Sequence, residues 1–305
     1  MKIKFVAGWN TDYNIYSFVN DIWNMDGLYD DVLTYGDDYT HLVIFNGVNN
    51  SRYRIEKETT YGIVVEPYWS TSFDKNMLSY CKKIVTYQPD KYDAGRTILC
   101  PLIGTHRLYN RGTDGEIVPV PNTTKNLLSR TFEKTKTLSI IVANHGFDSR
   151  PYVNYNHRQN LVLQLLTSDL EFDLYGLGWH INDGYGWHIT DSRFKGSLVN
   201  KIDGIANYKY TIALENSPVG GEITEKFIDA ILCNTIPIYN GSRDIEKYYP
   251  NSHEYLDYDG NEINTIRAII NSNKTAQDYS FDDAKNRFFN VYNPIKIILD
   301  EISKG

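Results

Sequence analysis

The sequence predicts an α/β protein of two doubly wound, Rossmann-like domains facing each other across a cleft. Three observations carry that expectation. Short apolar runs rich in Val and Ile recur through the first hundred positions without the strict alternation of a half-exposed sheet, the pattern of parallel strands covered on both faces. From Leu108 to Asn122 the composition turns to Asn, Arg, Gly, Asp, Pro and Thr, a surface excursion that separates two halves. Beyond it, a strand–helix–strand succession is legible as far as Tyr239.

Taken in order, the first strand is Lys2–Ala7, followed by a helix over Asp12–Met25. Strands then follow at His41–Gly47, Tyr61–Glu66, Lys83–Tyr87 and Thr97–Gly104, with a helix at Asp74–Tyr80. The boundary falls near 120–136, dividing an N-terminal domain (1–130) from a C-terminal one (131–305). The second series opens with strand Leu138–Asn144 and a helix around Arg158–Thr167, whose Leu161, Leu165 and Leu166 share one face. Strand Phe172–Tyr175 leads into a Gly-rich aromatic loop that runs to Gly196. Helix Val199–Asn207, strand Tyr210–Leu214, helix Glu225–Cys233 and strand Ile236–Tyr239 complete the series.

Composition narrows the function. At 305 residues the chain buries enough surface to fold without staples, and its three cysteines, Cys81, Cys100 and Cys233, have no paired spacing for a disulfide framework or a zinc site. A reducing compartment follows. The opening Met1–Gly8 reads as a core strand rather than a signal segment, and no run approaches the roughly 20 apolar residues of a membrane span, so a cytoplasmic protein is expected. A formal net charge of −7 disfavours nucleic acid as a partner, because phosphate neutralisation supplies most of that affinity. Any phosphate must be held locally, by a few placed cations.

The segment Tyr208–Ser242 supplies such a place. An apolar strand ends at Leu214 and delivers Glu215, Asn216 and Ser217 to its carboxyl edge, where open α/β sheets carry ligand groups. Gly220 and Gly221 permit close backbone approach. Thr224 reads as an N-cap, with Ile223 and Ile228 at hydrophobic-staple spacing around it. Lys226 then stands in the first helical turn, where the dipole already presents positive charge, at a cost of a few tenths to about 1 kcal/mol if nothing compensates. An anion at this helix start reverses the sign, and a diphosphate fits. Glu225 can accept hydrogen bonds from ribose or sugar hydroxyls, and Asn216 offers both donors and acceptors. The plainer alternative is that Glu225 and Lys226 only solvate a helix end.

The run Glu215-Asn216-Ser217, then Ile223-Thr224-Glu225-Lys226, then Ile236-Pro237-Ile238-Tyr239 closely resembles the donor-binding motif of the family 10 glycosyltransferases, the α1,3/4-fucosyltransferases. The resemblance is specific over Lys195–Ser242 and traceable back to Asn154. It implies the GT-B fold, with an acceptor-side N-terminal domain and a donor-binding C-terminal one, and inverting transfer of a sugar from a GDP-linked donor, GDP-fucose foremost, to a carbohydrate hydroxyl. No metal or other cofactor is obligatory in that scheme. Position by position, Lys226 resembles the family's diphosphate-binding lysine, Glu225 its ribose- or sugar-binding glutamate and Asn216 its neighbour on the donor. Arg158, in Asn156-His157-Arg158-Gln159-Asn160, resembles the arginine that neutralises the departing diphosphate. A guanidinium suits that task because it can hold two oxygens at once. Where the family usually has Tyr, this chain has Glu222, which leaves the donor sugar open.

Inverting transfer needs one base for the acceptor hydroxyl. Glu66 ends an apolar strand, precedes Pro67-Tyr68-Trp69 and aligns loosely with the family's catalytic glutamate. His106, after another strand, is the alternative because imidazole titrates near neutrality. Gly176 and Gly178 make no dinucleotide fingerprint, and His180 and His188 lack the spacing of a zinc site. Asp37-Asp38 and Asp282-Asp283 read as surface charge. Two other readings stand beside the enzyme: a different nucleotide-sugar donor on the same scaffold, and a catalytically silent carbohydrate- or nucleotide-binding protein.

Overall fold

The computed structural model describes residues 1–8, 11–48, 52–65, 74–101, 123–146, 153–179, 189–217 and 222–304. These fall into two compact units, one comprising the described residues up to Ser129 together with those from Asn286 onward, the other Arg130–Lys285.

The first unit contains β1 (Ile3–Ala7), α1 (Asp12–Trp23), β2 (Leu33–Thr34), β3 (His41–Phe45), β4 (Thr60–Val64), α2 (Met77–Tyr80), β5 (Lys83–Thr86), β6 (Thr97–Leu99) and α3 (Thr123–Ser129). Its strands form one parallel sheet in the order β2-β1-β3-β4-β5-β6. β1, β3 and β4 are almost wholly buried, as their unpatterned apolar composition demands. Val6, Leu42, Ile44, Val64, Met77 and Ile84 lie together in its core. The ammonium of Lys4, buried within β1, is neutralised by Asp12 at 3.0 Å and by Asp37 at 2.9 Å. Asp37 is thus exposed, as its sequence context predicts, but engaged.

The second unit contains β7 (Lys136–Ile141), α4 (Tyr155–Thr167), β8 (Asp173–Tyr175), β9 (Tyr208–Leu214), α5 (Glu225–Leu232), β10 (Ile236–Asn240), α6 (Ile245–Tyr248), β11 (Glu254–Tyr255), α7 (Glu262–Asn271) and α8 (Phe281–Asn286), the last residue of α8 falling in the first unit. Its sheet is again parallel, in the order β11-β10-β9-β7-β8. The chain leaves β7 through α4 to reach β8 on one side, then returns to the other side of β7 with β9. That reversal opens a crevice beyond the carboxyl ends of β7 and β9, the usual ligand position in open α/β sheets. Two parallel doubly wound units are therefore present, as the sequence predicts.

The elements depart from expectation in three places. The helix predicted over Val199–Asn207 is a 3-10 turn at Lys201–Gly204, because Val199 is exposed and too few apolar positions face the sheet to support a longer helix. The helix predicted over Asp74–Tyr80 shrinks to α2, since the Asp74 carboxylate turns back to accept from Asn76 N and from the Tyr80 hydroxyl. The second unit, expected to run to 305, gives up its last segment: α9 (Pro294–Ile302) packs with the first unit. Asn293 is the hinge of that return. Its carbonyl oxygen caps α9 by accepting from Ile295 N at 2.9 Å, while its amide donates to Trp23 O at 2.8 Å at the end of α1. Ile295 and Ile298 are fully buried, and Glu301 pairs with Lys83.

Candidate nucleotide-sugar site

The site forms where β7 and β9 end. β9 hands the chain to Glu215, whose side chain is fully buried. One of its oxygens accepts from Thr224 N at 2.8 Å and the other from Thr224 Oγ1 at 2.6 Å. A strand end is thereby clamped to the start of α5. Thr224 is the N-cap, as predicted, its Oγ1 accepting from Lys226 N at 3.4 Å. Ile223 and Ile228, at staple spacing around that cap, are both buried.

Lys226 is 17 % exposed, with its ammonium 3.4 Å from Glu215 Oε2, 3.3 Å from Glu225 Oε1 and 3.1 Å from Thr224 Oγ1. Burial pulls its pKa down, but Glu225 and Glu215 outweigh burial and hold it above the ordinary lysine value, so it is cationic at neutral pH. The sequence reading assigns compensation of this first-turn cation to a bound anion. The structure supplies two carboxylates in advance, which offset the first-turn charge of the lysine without a ligand. Glu222, 7 % exposed, sits at the same place, its carbonyl accepting from the Tyr239 hydroxyl at 3.2 Å. Gly241 is required beside it, because a Cβ there would lie 2.3 Å from Tyr239 Oη and 2.5 Å from Glu215 Cγ.

Arg158 reaches the same edge from the first turns of α4 and is 4 % exposed. Its guanidinium donates to Asn216 Oδ1 and, at 3.4 Å, to Ala143 O, while its Nε has no hydrogen-bond partner. No carboxylate among the described residues lies within ion-pair distance of it. Burial pushes its pKa below the usual arginine value, the expected sign for a cation held out of water. Asn216 is the junction: its carbonyl accepts from Asn154 N at 2.8 Å while its side chain receives Arg158, joining the end of β9 to the start of α4.

Two residues that sequence reasoning did not single out, Asn144 and Asn154, belong to this edge together with Glu215 of the recognised run. Glu215 serves as the buried clamp just described. Asn144, beyond β7, accepts from Gly146 N at 3.0 Å and from Gln159 Nε2, and its own amide nitrogen is buried without a partner. Asn154, at the N-cap of α4, makes no side-chain capping bond, and its amide nitrogen is likewise buried without a partner. Asparagines after a strand and before a helix read as turn residues, and their unfilled donors exist only in three dimensions. Gly176 and Gly178 build the bed under Asn144. With φ of 147° and 82°, they let the chain after β8 run so close that a Cβ would lie 2.0 Å from Val142 O and 2.3 Å from Asn144 O. Trp179, fully buried, then donates from its indole to Val142 O at 2.8 Å.

The structure thus brings together Arg158, Asn216, Glu222, Ile223, Thr224, Glu225 and Lys226 at one end of one sheet. Glu66, His106, His180 and His188 lie outside the described residues. Among the described residues no three His, Cys, Asp or Glu side chains group as a metal site, and no helix is long and apolar enough to cross a membrane. Cys81, Cys100 and Cys233 are buried, and none of the three is in a disulfide.

Against this geometry, residues 131–271 match the family model described as glycosyltransferase family 10 (fucosyltransferase), C-terminal. The second unit matches glycosyltransferase family 10. Over 101 residues, 33 % of this chain, the sequence is 27 % identical to a fucosyltransferase-like protein of Arabidopsis thaliana. Over 68 residues, 21 % of this chain, it is 37 % identical to the alpha-(1,3)-fucosyltransferase FucT of Helicobacter pylori. The matched segments span only 17 % and 14 % of the lengths of those two relatives. In fold the chain is similar to a crystal structure of an alpha1,3-fucosyltransferase with GDP, with a TM-score of 0.50 at 18 % identity, covering 93 % of this chain and 81 % of that one. The fold class is that of the GT-B glycosyltransferases: two parallel-stranded sheets with their helices.

Proposed function

We propose that this chain is an inverting glycosyltransferase that moves a sugar, L-fucose foremost, from a GDP-linked donor onto a carbohydrate hydroxyl. The observation that carries the reading is Arg158: a guanidinium 4 % exposed, without a carboxylate partner among the described residues, at the sheet edge that Lys226 also occupies. A charge held out of water costs several kcal/mol unless something offsets it. A diphosphate offsets it, and the α5 start adds main-chain N–H groups and the Lys226 ammonium.

In this scheme the donor unit is the second one, with Asn216, Glu222, Ile223, Thr224 and Glu225 lining the nucleotide sugar and Glu225 accepting from ribose or sugar hydroxyls. Glu66, from the first unit's sequence, takes the proton of the acceptor hydroxyl as its oxygen attacks the anomeric carbon. The bond from that carbon to the diphosphate breaks on the opposite face, and the electron pair stays on the leaving GDP. Arg158 and Lys226 stabilise the charge that develops there. His106 is the alternative base.

A second reading, a donor sugar other than fucose, draws support from Glu222, which sets a nearly buried carboxyl side chain where the family usually has a tyrosine. A thermal-shift screen against GDP-, UDP- and dTDP-sugars, followed by transfer assays with the stabilising donor, tests both readings. A ligand at a hundred times its Kd adds about 2.7 kcal/mol to stability. Stabilisation by GDP and GDP-fucose alone is expected. Stabilisation by a UDP- or dTDP-sugar instead removes the GDP assignment.

A further inference from the structure

The start of α4 carries a set of donors that the scheme above leaves unused. Asn144 and Asn154 are 2 % and 3 % exposed, and the amide nitrogen of each is buried with no hydrogen-bond partner. Arg158 Nε, on the same helix, is in the same condition. Leaving one such donor unfilled costs about 1–3 kcal/mol, so three beside one helix start call for an acceptor. The hydrogen bonds of this edge hold the three in one neighbourhood. Gln159 donates to Asn144 Oδ1, Arg158 donates to Ala143 O just before Asn144, and both Asn154 N and the Arg158 guanidinium donate to Asn216.

The amide orientation of Asn144 is settled by its partners: Gly146 N and Gln159 Nε2 both require its oxygen, which leaves the N–H₂ group as the free side. Asn154 is unusual in a different way. An asparagine at an N-cap ordinarily turns its oxygen to the helix N–H groups, and this one does not. The N-terminus of a 13-residue helix therefore keeps its own N–H groups uncapped by that side chain and adds two side-chain amides.

We infer that Asn144 and Asn154 donate from their side-chain amides to the oxygens of the diphosphate that Arg158 holds, so that the leaving group is bound by two helix starts, α4 as well as α5. This rests on the proposed nucleotide-sugar reading and adds two binding residues to it. The ligand chemistry is that of a diphosphate, an acceptor of several hydrogen bonds with no donor of its own. Neutral amides suit it as a supplement to Arg158 and Lys226, because they add bonds without adding buried charge.

The test measures affinity for GDP and for guanosine, which lacks the phosphates, by calorimetry on the full chain carrying Asn144→Asp or Asn154→Ala. Asn144→Asp keeps the oxygen that serves Gly146 and Gln159 and replaces only the unpartnered nitrogen. Asn154→Ala removes the amide donor, is neutral and forfeits no capping bond because Asn154 makes none, which separates a lost donor from simple repulsion. Each variant should lose about ten- to a hundredfold in GDP affinity, the range of a hydrogen bond to a charged group, with guanosine affinity unchanged. A GDP-to-guanosine ratio that stays at the wild-type value in Asn154→Ala overturns the inference. Inorganic pyrophosphate is the second probe and needs no guanine. If it binds wild type and both variants equally the inference fails, whereas if wild type binds pyrophosphate but not GDP the nucleotide reading fails and the anion site stands. Binding of neither probe to wild type removes both.

Discussion

Arg158→Met separates a functional arginine from a structural one. Methionine fills the same slot with an unbranched, uncharged chain. The fold loses two hydrogen bonds, to Asn216 Oδ1 and, at 3.4 Å, to Ala143 O. A hydrogen bond from a charged donor contributes about 1.5–3 kcal/mol, and the long one to Ala143 belongs at the bottom of that range. Against this, the fold no longer carries a guanidinium 4 % exposed with no carboxylate beside it among the described residues, a burden of several kcal/mol. The two effects are of the same size and opposite sign, so stability should change by no more than about 2 kcal/mol in either direction. Binding has no such cancellation. Removing a buried cation from its anionic partner costs about 2–5 kcal/mol, or roughly thirtyfold to several thousandfold in Kd. Calorimetric titration with GDP gives the second quantity, and urea unfolding of variant and wild type side by side gives the first. A variant destabilised by more than about 3 kcal/mol that binds GDP as tightly as wild type would refute the reasoning, because Arg158 would then serve the fold alone.

Three further outcomes are expected. Glu66→Gln keeps the size of the side chain but removes its proton affinity, so transfer should fall by about 10² to 10⁴ while GDP affinity is unchanged; near-normal turnover would shift the role to His106. Activity should persist in EDTA, because Arg158 and Lys226 supply fixed positive charge where a divalent ion would otherwise sit; loss of turnover restored by manganese would contradict this. Burial lowers Lys134 to about 8 while its ammonium donates to Ala206 O, Cys233 O and Thr235 Oγ1, each at 2.7 Å. Its folded-state pKa lies below the unfolded value of 10.5, so between those two values the fold binds fewer protons than the unfolded chain and gains stability as pH rises. The stability of wild type relative to Lys134→Met should therefore grow between pH 8 and 10, measured by urea unfolding, and a flat difference would show that the ammonium is not desolvated.

What the sequence determined by itself was whatever depends on neighbours in the chain. Strand identity followed from unpatterned Val and Ile runs, since a strand buried on both faces needs apolar residues at every position. The start of α5 followed from Thr224 and the isoleucines around it, because a cap and its staple span only a few residues. The run from Glu215 to Tyr239 carried the family resemblance for the same reason, being one strand edge, one loop and one helix start. Tertiary structure alone decided the rest. Arg158 meets Asn216 across 58 positions because β9 returns to lie beside β7, a consequence of strand order that no local period encodes. Glu215 became a clamp only when the chain folded back to bring Thr224 onto its two oxygens. The return of α9 to the first unit depends on Asn293 finding Trp23 O, 270 positions away. Caps, staples and buried strands are written in residues a few places apart, whereas a binding edge is assembled from chain ends that only the closed sheet brings together.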